Sequence, residues 1–438
     1  MCTNWREIAL QNSVNKIVTK IVLGRISPIL DAGLRREQAG FRRGKSCTDH
    51  VNTLRIIVEQ CKELNTRLCL LFVDFKCAFD SIDQRRMWDI LPQYGIPAKI
   101  ISIMQDLYRD ANLRIVHRGK IGPEIKVGSG VKQGCILSPL LFNIVLDYTM
   151  RLAKSRTASK SMGIHWDTFT RLTDLDYADD IVCMSETMPD MKNYIDTLVN
   201  CAREVGLQIN AAKTKLMRMN QPMLTRAAVA SLHVAGEVVE EVDKFVYLGS
   251  TISKDGGADD DVLNRIRLAN LAFGSLRHIW SSKRISTRVK LSIFNSNVKS
   301  VLLYGCETWK VTKSLTQRLQ VFVNKCLRKI LGIYYPEKIT NTRPHTLTNQ
   351  EPLANQIGKR KWGWIGHTLR KDPADLARNA IFWNPPGRRK PGRPSATWQS
   401  SVRSEAAQQG RQLSELPALA SNRVRFKSFI NALHFIVE

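Results

Sequence analysis

The chain has 438 residues, 43% of them apolar, an ordinary globular composition with length for two or three domains. Lysine and arginine number 66 against 39 acids, and a formal charge of +27 points to a polyanionic partner, the alternatives being a generally basic surface or attraction to a membrane face. No apolar run approaches the ~18–20 residues needed to span a bilayer, no signal-peptide pattern opens the chain, and ten scattered cysteines without a Cys-x-x-Cys pair exclude a disulfide framework or zinc module in favour of reduced intracellular thiols.

Asn4-Trp5-Arg6-Glu7-Ile8-Ala9-Leu10 leads into a helical pattern through Val14, Ile17, Val18, Ile21 and Val22. From Arg36 to Ser46, glycines and basic residues interleave around Phe41, which reads as a flexible loop suited to phosphates. A helix follows from about Val51 to Leu64, capped by Thr48 or Asp49. Its Leu54, Ile57, Val58, Cys61 and Leu64 share one face, as core packing requires. The apolar run Leu68–Val73 then ends in Asp74, the pattern of a buried strand that delivers a carboxylate at its edge. Phe79 comes five residues later and reads on its own as strand-end packing. Two short helices near residues 84–93 and 97–108 and a hairpin of 113–116 with 124–127 precede a glycine-rich stretch, Gly128 to Pro139. There Ser138-Pro139 is a strong helix start.

Leu175-Asp176-Tyr177-Ala178-Asp179-Asp180-Ile181-Val182 places two adjacent acids between apolar runs, the pattern of a hairpin whose turn presents them. Alone, such a pair fits a solvated turn. Together with Asp74 it suggests more, because neighbouring carboxylates repel and a hard divalent cation would relieve that repulsion. Three such acids could hold two metal ions roughly 3.5–4 Å apart, the clamp of in-line phosphoryl transfer.

A helical stripe from Met191 to Val205 ends at Gly206, and Leu207 to Lys215 carries Lys213 and Lys215. Phe245-Val246-Tyr247-Leu248-Gly249-Ser250 reads as a half-buried strand. After the turn at Asp255-Gly256-Gly257, three amphipathic helices follow, through Val262–Leu276, from Ser286 or Thr287 to Leu302, and through Leu315–Ile330, the last stopped by Gly332. Between Gly358 and Arg403, eleven basic residues face two acids, with Trp362, Trp364, Trp383 and Trp398 interleaved. Arg388, Arg389, Lys390 and Arg393 lie in an irregular Pro/Gly-rich loop. Basic residues reach phosphates and exposed aromatics stack bases; a tryptophan-cored helical domain with a basic surface is the alternative.

These stretches, in this order, resemble the reverse transcriptases of non-LTR (LINE-type) retrotransposons. Leu68–Asp80 is similar to motif A, and Gln133-Gly134 with Ser138-Pro139-Leu140 to motif B. Tyr177–Asp180 is similar to motif C, Gly206–Lys215 to motif D and Phe245–Ser250 to motif E. The resemblance implies an α+β, right-hand polymerase: fingers and palm with a small antiparallel sheet over 1–253, a helical thumb over 254–335, and a basic nucleic-acid-binding region over 336–438. It implies an RNA-directed DNA polymerase that joins dNTPs to a primer 3′-hydroxyl. Two Mg²⁺, replaceable by Mn²⁺, would be held by Asp74, Asp179, Asp180 and the backbone carbonyl of Phe75. One would lower the pKa of the primer hydroxyl and the other stabilise the departing pyrophosphate, which Lys213, ahead of Lys215, would protonate.

By the same resemblance Arg6, Phe79, Gln133 and Gly134 meet the incoming nucleotide, with Phe79 excluding a 2′-hydroxyl. Gly40, Phe41, Arg42 and Tyr177 are expected along the template and primer, and Tyr247, Leu248 and Gly249 form the primer grip. The implied partners are an RNA template, a DNA primer, dNTPs and genomic target DNA, with no membrane, in nucleus and cytoplasm. No endonuclease is read in the chain, and a triphosphate-binding fingers strand is missing from its start. A truncated copy is therefore expected, with a catalytically inactive nucleic-acid-binding remnant as the alternative function.

Overall fold

The computed structural model describes residues 8–109, 112–157, 161–221, 231–337, 339–389 and 391–435; Arg6 and Lys390 lie outside them. By compactness the chain divides into one unit of Met1–Cys47 with Arg67–Val242 and another of Thr48–Thr66 with Asp243–Glu438. These limits differ from the three consecutive segments expected. The hairpin of motif E, the thumb-like helices and the basic tail share a unit, and an early helix joins them.

In the first unit the run Leu68–Val73 forms strand β1, all six residues buried. It is flanked on both sides in a five-stranded sheet. With β2 (Asp174–Tyr177), β3 (Asp180–Ser185), β4 (Lys215–Met219) and β5 (Glu240–Glu241), the order is β5-β4-β1-β3-β2. All neighbours are antiparallel except β5 and β4. Period-two alternation turns Cys69, Leu71 and Val73 into a core shared with the helices Ser138–Arg156 and Met188–Glu204. The first of these begins at Ser138-Pro139, as expected. Helix α1 (Ser13–Gly33) adds Val22, Ile26 and Leu30 to the same core. The hairpin expected near 113–127 pairs Asn112–His117 with Lys120–Lys126.

In the second unit, helix α2 (Cys47–Glu63), all but its first residue, departs from the one-faced helix expected. Asp49 to Cys61 are buried without a break. The polar side is not solvated, because it meets partners far along the chain. Asp49 accepts from Trp364 Nε1 (3.0 Å) and Lys371 Nζ (2.7 Å). Arg55 donates to the Thr251 carbonyl and to Asp261 Oδ2, each at 3.2 Å. Glu59 accepts the Trp398 backbone N–H at 2.6 Å, and burial raises its pKa. The helices Asp259–Ser275 and Lys313–Leu331, with the run from Thr287 to Leu302, share one core around Phe294, Trp309 and Leu319. Residues 294–299 of that run widen into a π-helix. Three of the four tail tryptophans, Trp362, Trp383 and Trp398, are buried core residues rather than stacking platforms, and the half-buried Trp364 is tied to Asp49. The tryptophan-cored reading of the tail therefore holds for its aromatics, while Arg388, Arg389 and Arg393 are exposed.

Candidate active site

Two antiparallel strands bring the first acids together. The β1–β3 register ends with Val73 opposite Ile181, so its continuation sets Asp74 opposite Asp180. β2 and β3 are joined by the two residues Ala178 and Asp179, with Tyr177 paired to Asp180. Ala178 holds φ +55°, the position that hairpins of this length give to glycine. A side chain there costs roughly 1–2 kcal/mol, so the turn needs support from its surroundings.

That support comes from residues 35–40. Gln38 is fully buried, and its Oε1 accepts the Ala178 N–H at 3.0 Å and the Gly40 N–H at 2.7 Å. Ala39 donates to the Asp176 carbonyl (2.8 Å) and Asp176 to the Glu37 carbonyl (3.0 Å), so the segment runs as a short parallel bridge beside β2. Gly40 is there for close approach, since a Cβ would collide with the Ala178 nitrogen. Its carbonyl accepts from Asn143 Nδ2 at 2.6 Å. Behind the turn, the Arg35 guanidinium meets Asp147 (3.1 Å), Asp174 (2.6 Å) and Asp176, all three carboxylates buried. Burial opposes the Arg35 charge, but these acids and Glu37 hold its pKa above the ordinary arginine value. Burial first, then the Asp174 charge, push the Asp176 carboxyl well above the ordinary carboxylate range, against the pull of Arg35.

The segment after Gly206 runs against the end of motif A. Asn210 donates to the Asp74 carbonyl and Lys76 to the Gln208 carbonyl, each at 2.7 Å. This leaves Lys213 Nζ 3.9 Å from Asp74 Oδ2, whereas Lys215 Nζ is taken by Glu240 and the Ala212 carbonyl, at 2.7 Å each. Burial first, then the charges of Asp179 and Asp74, push the Asp180 carboxyl up to about 6. Among the described residues no three His, Cys, Asp or Glu side chains close around one point as a preformed cage. The donors present nonetheless suit a hard cation: Asp74 Oδ2 is buried with no hydrogen-bond partner among the described residues, and three acids repel one another at the mouth of the sheet.

Motif B packs on motif A. Gly130, at φ +76°, lies so close to Asp80 that a Cβ would stand 2.6 Å from its Cα. Gln133 Nε2 donates to Asp80 Oδ1 at 2.7 Å, and the Gln133 carbonyl accepts from Ala9 N–H at 2.7 Å. Gly134 abuts the Ala9 carbonyl. Phe79 stacks on Phe142 with ring centroids 4.4 Å apart. Beside them a cleft of about 480 Å³ is lined by Ile8, Asn12, Asp80, Arg114, Lys132 and Gln133.

Other expected contacts are placed differently. Phe41 is exposed, but Arg42 is a strap whose guanidinium donates to Asp31 Oδ1 (2.6 Å) and to the carbonyls of Asp31, Arg35 and Gln38. Tyr247, Leu248 and Gly249 belong to the second unit, in a hairpin of Lys244–Tyr247 with Ser250–Ser253. Tyr304 donates to the Leu248 carbonyl at 2.9 Å, and Arg265 bonds the Gly249 carbonyl while lying 4.3 Å from the Tyr304 ring centroid. Arg389 pairs with Glu63 at 2.6 Å.

Residues 2–252 match the family described as reverse transcriptase (RNA-dependent DNA polymerase). The chain belongs to that family. Its α+β, right-hand polymerase fold and its kinship with non-LTR retrotransposon polymerases, both read from the motifs, are borne out, and divalent metal ions serve the family generally. Residues 272–304 match a domain of unknown function. A transposon-derived protein of Caenorhabditis elegans is 29% identical over 53% of this chain and 85% of its own length. The probable RNA-directed DNA polymerase from transposon BS of Drosophila melanogaster is 24% identical over 86% of this chain. The polyprotein of the type-2 element R2DM, also from Drosophila melanogaster, is 25% identical over 58% of this chain. The chain spans 41% and 24% of these two fly relatives.

Gln38 lies inside the glycine-rich stretch read from the sequence but has no role in that reading, and Arg35, just before it, is not singled out. A signal was present: Asp174 and Asp176 alternate along a strand whose neighbours are apolar, and two inward acids need a buried cation.

Proposed function

We propose that this chain is an RNA-directed DNA polymerase of a non-LTR retrotransposon, extending a DNA primer on an RNA template by nucleotidyl transfer from dNTPs. The observation that carries the reading is the approach of Asp74 to Asp180 across adjacent strands, with Asp179 in the turn and Lys213 at the rim. Asp74, Asp179, Asp180 and the Phe75 carbonyl would hold two Mg²⁺ or Mn²⁺. When bound, such ions acidify a hydroxyl nucleophile and offset charge on the leaving oxygens.

The chain's own residues do the rest. Lys213 supplies the proton to the departing pyrophosphate. Phe79, braced on Phe142, presents a stiff edge toward a 2′-hydroxyl. Gln133, fixed by Asp80, and Gly134 position the nucleotide against the template. Phe41 and Tyr177 lie along the template–primer duplex, and the Tyr247–Gly249 hairpin bears on the primer. Arg388 and Arg393 meet phosphates, genomic target DNA among them, beside Arg389, which Glu63 holds. No helix among the described residues is long and apolar enough to cross a membrane. Residues 1–253 would act as fingers and palm, 254–335 as thumb and 336–438 as the nucleic-acid-binding region, in nucleus and cytoplasm.

The test is dNTP incorporation on an RNA template with a DNA primer and Mg²⁺. Extension by the wild-type chain that disappears in Asp179→Asn is expected. A folded chain that binds primer–template and extends nothing would overturn the proposal.

A further inference from the structure

We infer that Gln38 is a positioning residue for the acid-bearing turn, and that segment 35–40 is a splint setting where Asp179 and Asp180 stand. The inference rests on the polymerase reading above and concerns how the turn is held in place.

Three observations carry it. Ala178 holds a left-handed backbone without being glycine, so the turn does not hold itself. A single buried atom, Gln38 Oε1, accepts both the Ala178 and the Gly40 N–H, while Gln38 Nε2 has no hydrogen-bond partner among the described residues. The amide is therefore present for its oxygen. Finally, the splint is itself anchored on two sides. Arg35 ties it to Asp174 and Asp176 of β2 and to Asp147 of the helix Ser138–Arg156, and Asn143 of that helix holds the Gly40 carbonyl. Displacing the oxygen would free the turn while leaving the sheet intact, so the acids would lose their fixed spacing before the fold is lost.

The variants are Gln38→Met, which keeps length and removes the acceptor, and Gln38→Met with Ala178→Gly, since glycine enters the left-handed region unaided. Four quantities are read on the full chain: kcat for primer extension, Mn²⁺ affinity from the free-ion electron paramagnetic resonance signal, primer–template Kd, and Tm. Expected for Gln38→Met is a kcat roughly 10- to 100-fold lower and severalfold weaker Mn²⁺ binding. Primer–template Kd should stay within about twofold, and the double variant should recover at least part of both losses.

Wild-type kcat and Mn²⁺ affinity in Gln38→Met would overturn the splint. So would losses that extend to Kd and Tm and are not recovered by Ala178→Gly, because that pattern is general packing. Should Gln38→Met not fold, Asn143→Ala carries the test. A smaller loss confined to kcat and Mn²⁺ supports the splint, and no loss, or equal loss in Kd, overturns it. Because Mn²⁺ binding is read without turnover, a wild-type chain that extends no primer would sink the polymerase reading while still deciding this one.

Discussion

Lys299 sits buried in the second unit, its ammonium donating to the Gln350 side chain, and burial lowers its pKa to about 8. The unfolded chain holds the same proton up to the ordinary lysine value, so folding must shed or bury a charge between the two. Stability is therefore expected to rise as pH climbs from about 8 toward 10.5, and to carry the full penalty at every pH below 8. Lys299→Met should raise stability at pH 7 by about 1–2 kcal/mol and flatten that rise; paired thermal melts from pH 7 to 10.5 would show it. At this scale the three acids were legible because each ends or interrupts an apolar run. Gln38 was not, because its partner Ala178 is 140 residues away and only the folded sheet reveals the unsupported turn. The internal bonds of Arg42 were hidden for a related reason: a basic residue in a glycine-rich loop looks available until its four acceptors are seen.

Among the elements, periodicity located the helices and the hairpins well, since apolar spacing reports the side that must leave water. It is silent about what covers a polar side, and α2 shows the consequence. Asp261 is the sharpest point of that cover. It is fully buried and receives Arg55 (3.2 Å), Trp309 Nε1 (2.9 Å) and the Thr251 N–H (2.9 Å). Asp261→Asn leaves the Arg55 guanidinium buried without its counter-charge, which should cost about 3–5 kcal/mol in chemical denaturation. Arg55→Met combined with Asp261→Leu should lose less than the two single changes summed, since neither charge is then stranded. Additive losses would show that the pair is not coupled. The stretch Leu302-Leu303-Tyr304-Gly305-Cys306-Glu307-Thr308-Trp309 takes part in the same cover. Tyr304 holds the Leu248 carbonyl, and Trp309 holds Asp261.

For the molecule as a whole, an excess of 27 positive charges should make the proposed nucleic-acid affinity a steep function of salt. Changing Arg388, Arg389 and Arg393 together to alanine should reduce the slope of log K against log salt by about 2 rather than 3, because Arg389 is already paired with Glu63. Filter binding of a primer–template across a salt series reads this directly, and an unchanged slope would remove the tail from the interface. The interleaving of the two units also has a consequence in time. The helix carrying Asp49, Arg55 and Glu59 is made early, but the Trp398 amide that satisfies Glu59 follows 339 residues later. At ribosomal speeds of ~5–20 residues per second, that separation lasts between about 17 and 68 s. Throughout that interval the polar flank of α2 lacks its complete native cover, which arrives in parts with Thr251 and Asp261, then Trp364 and Lys371, and last Trp398. The first-made part of the second unit is thus among the last to settle, and synthesis halted before Trp398 leaves a nascent chain with an unfinished helix for quality-control factors to find.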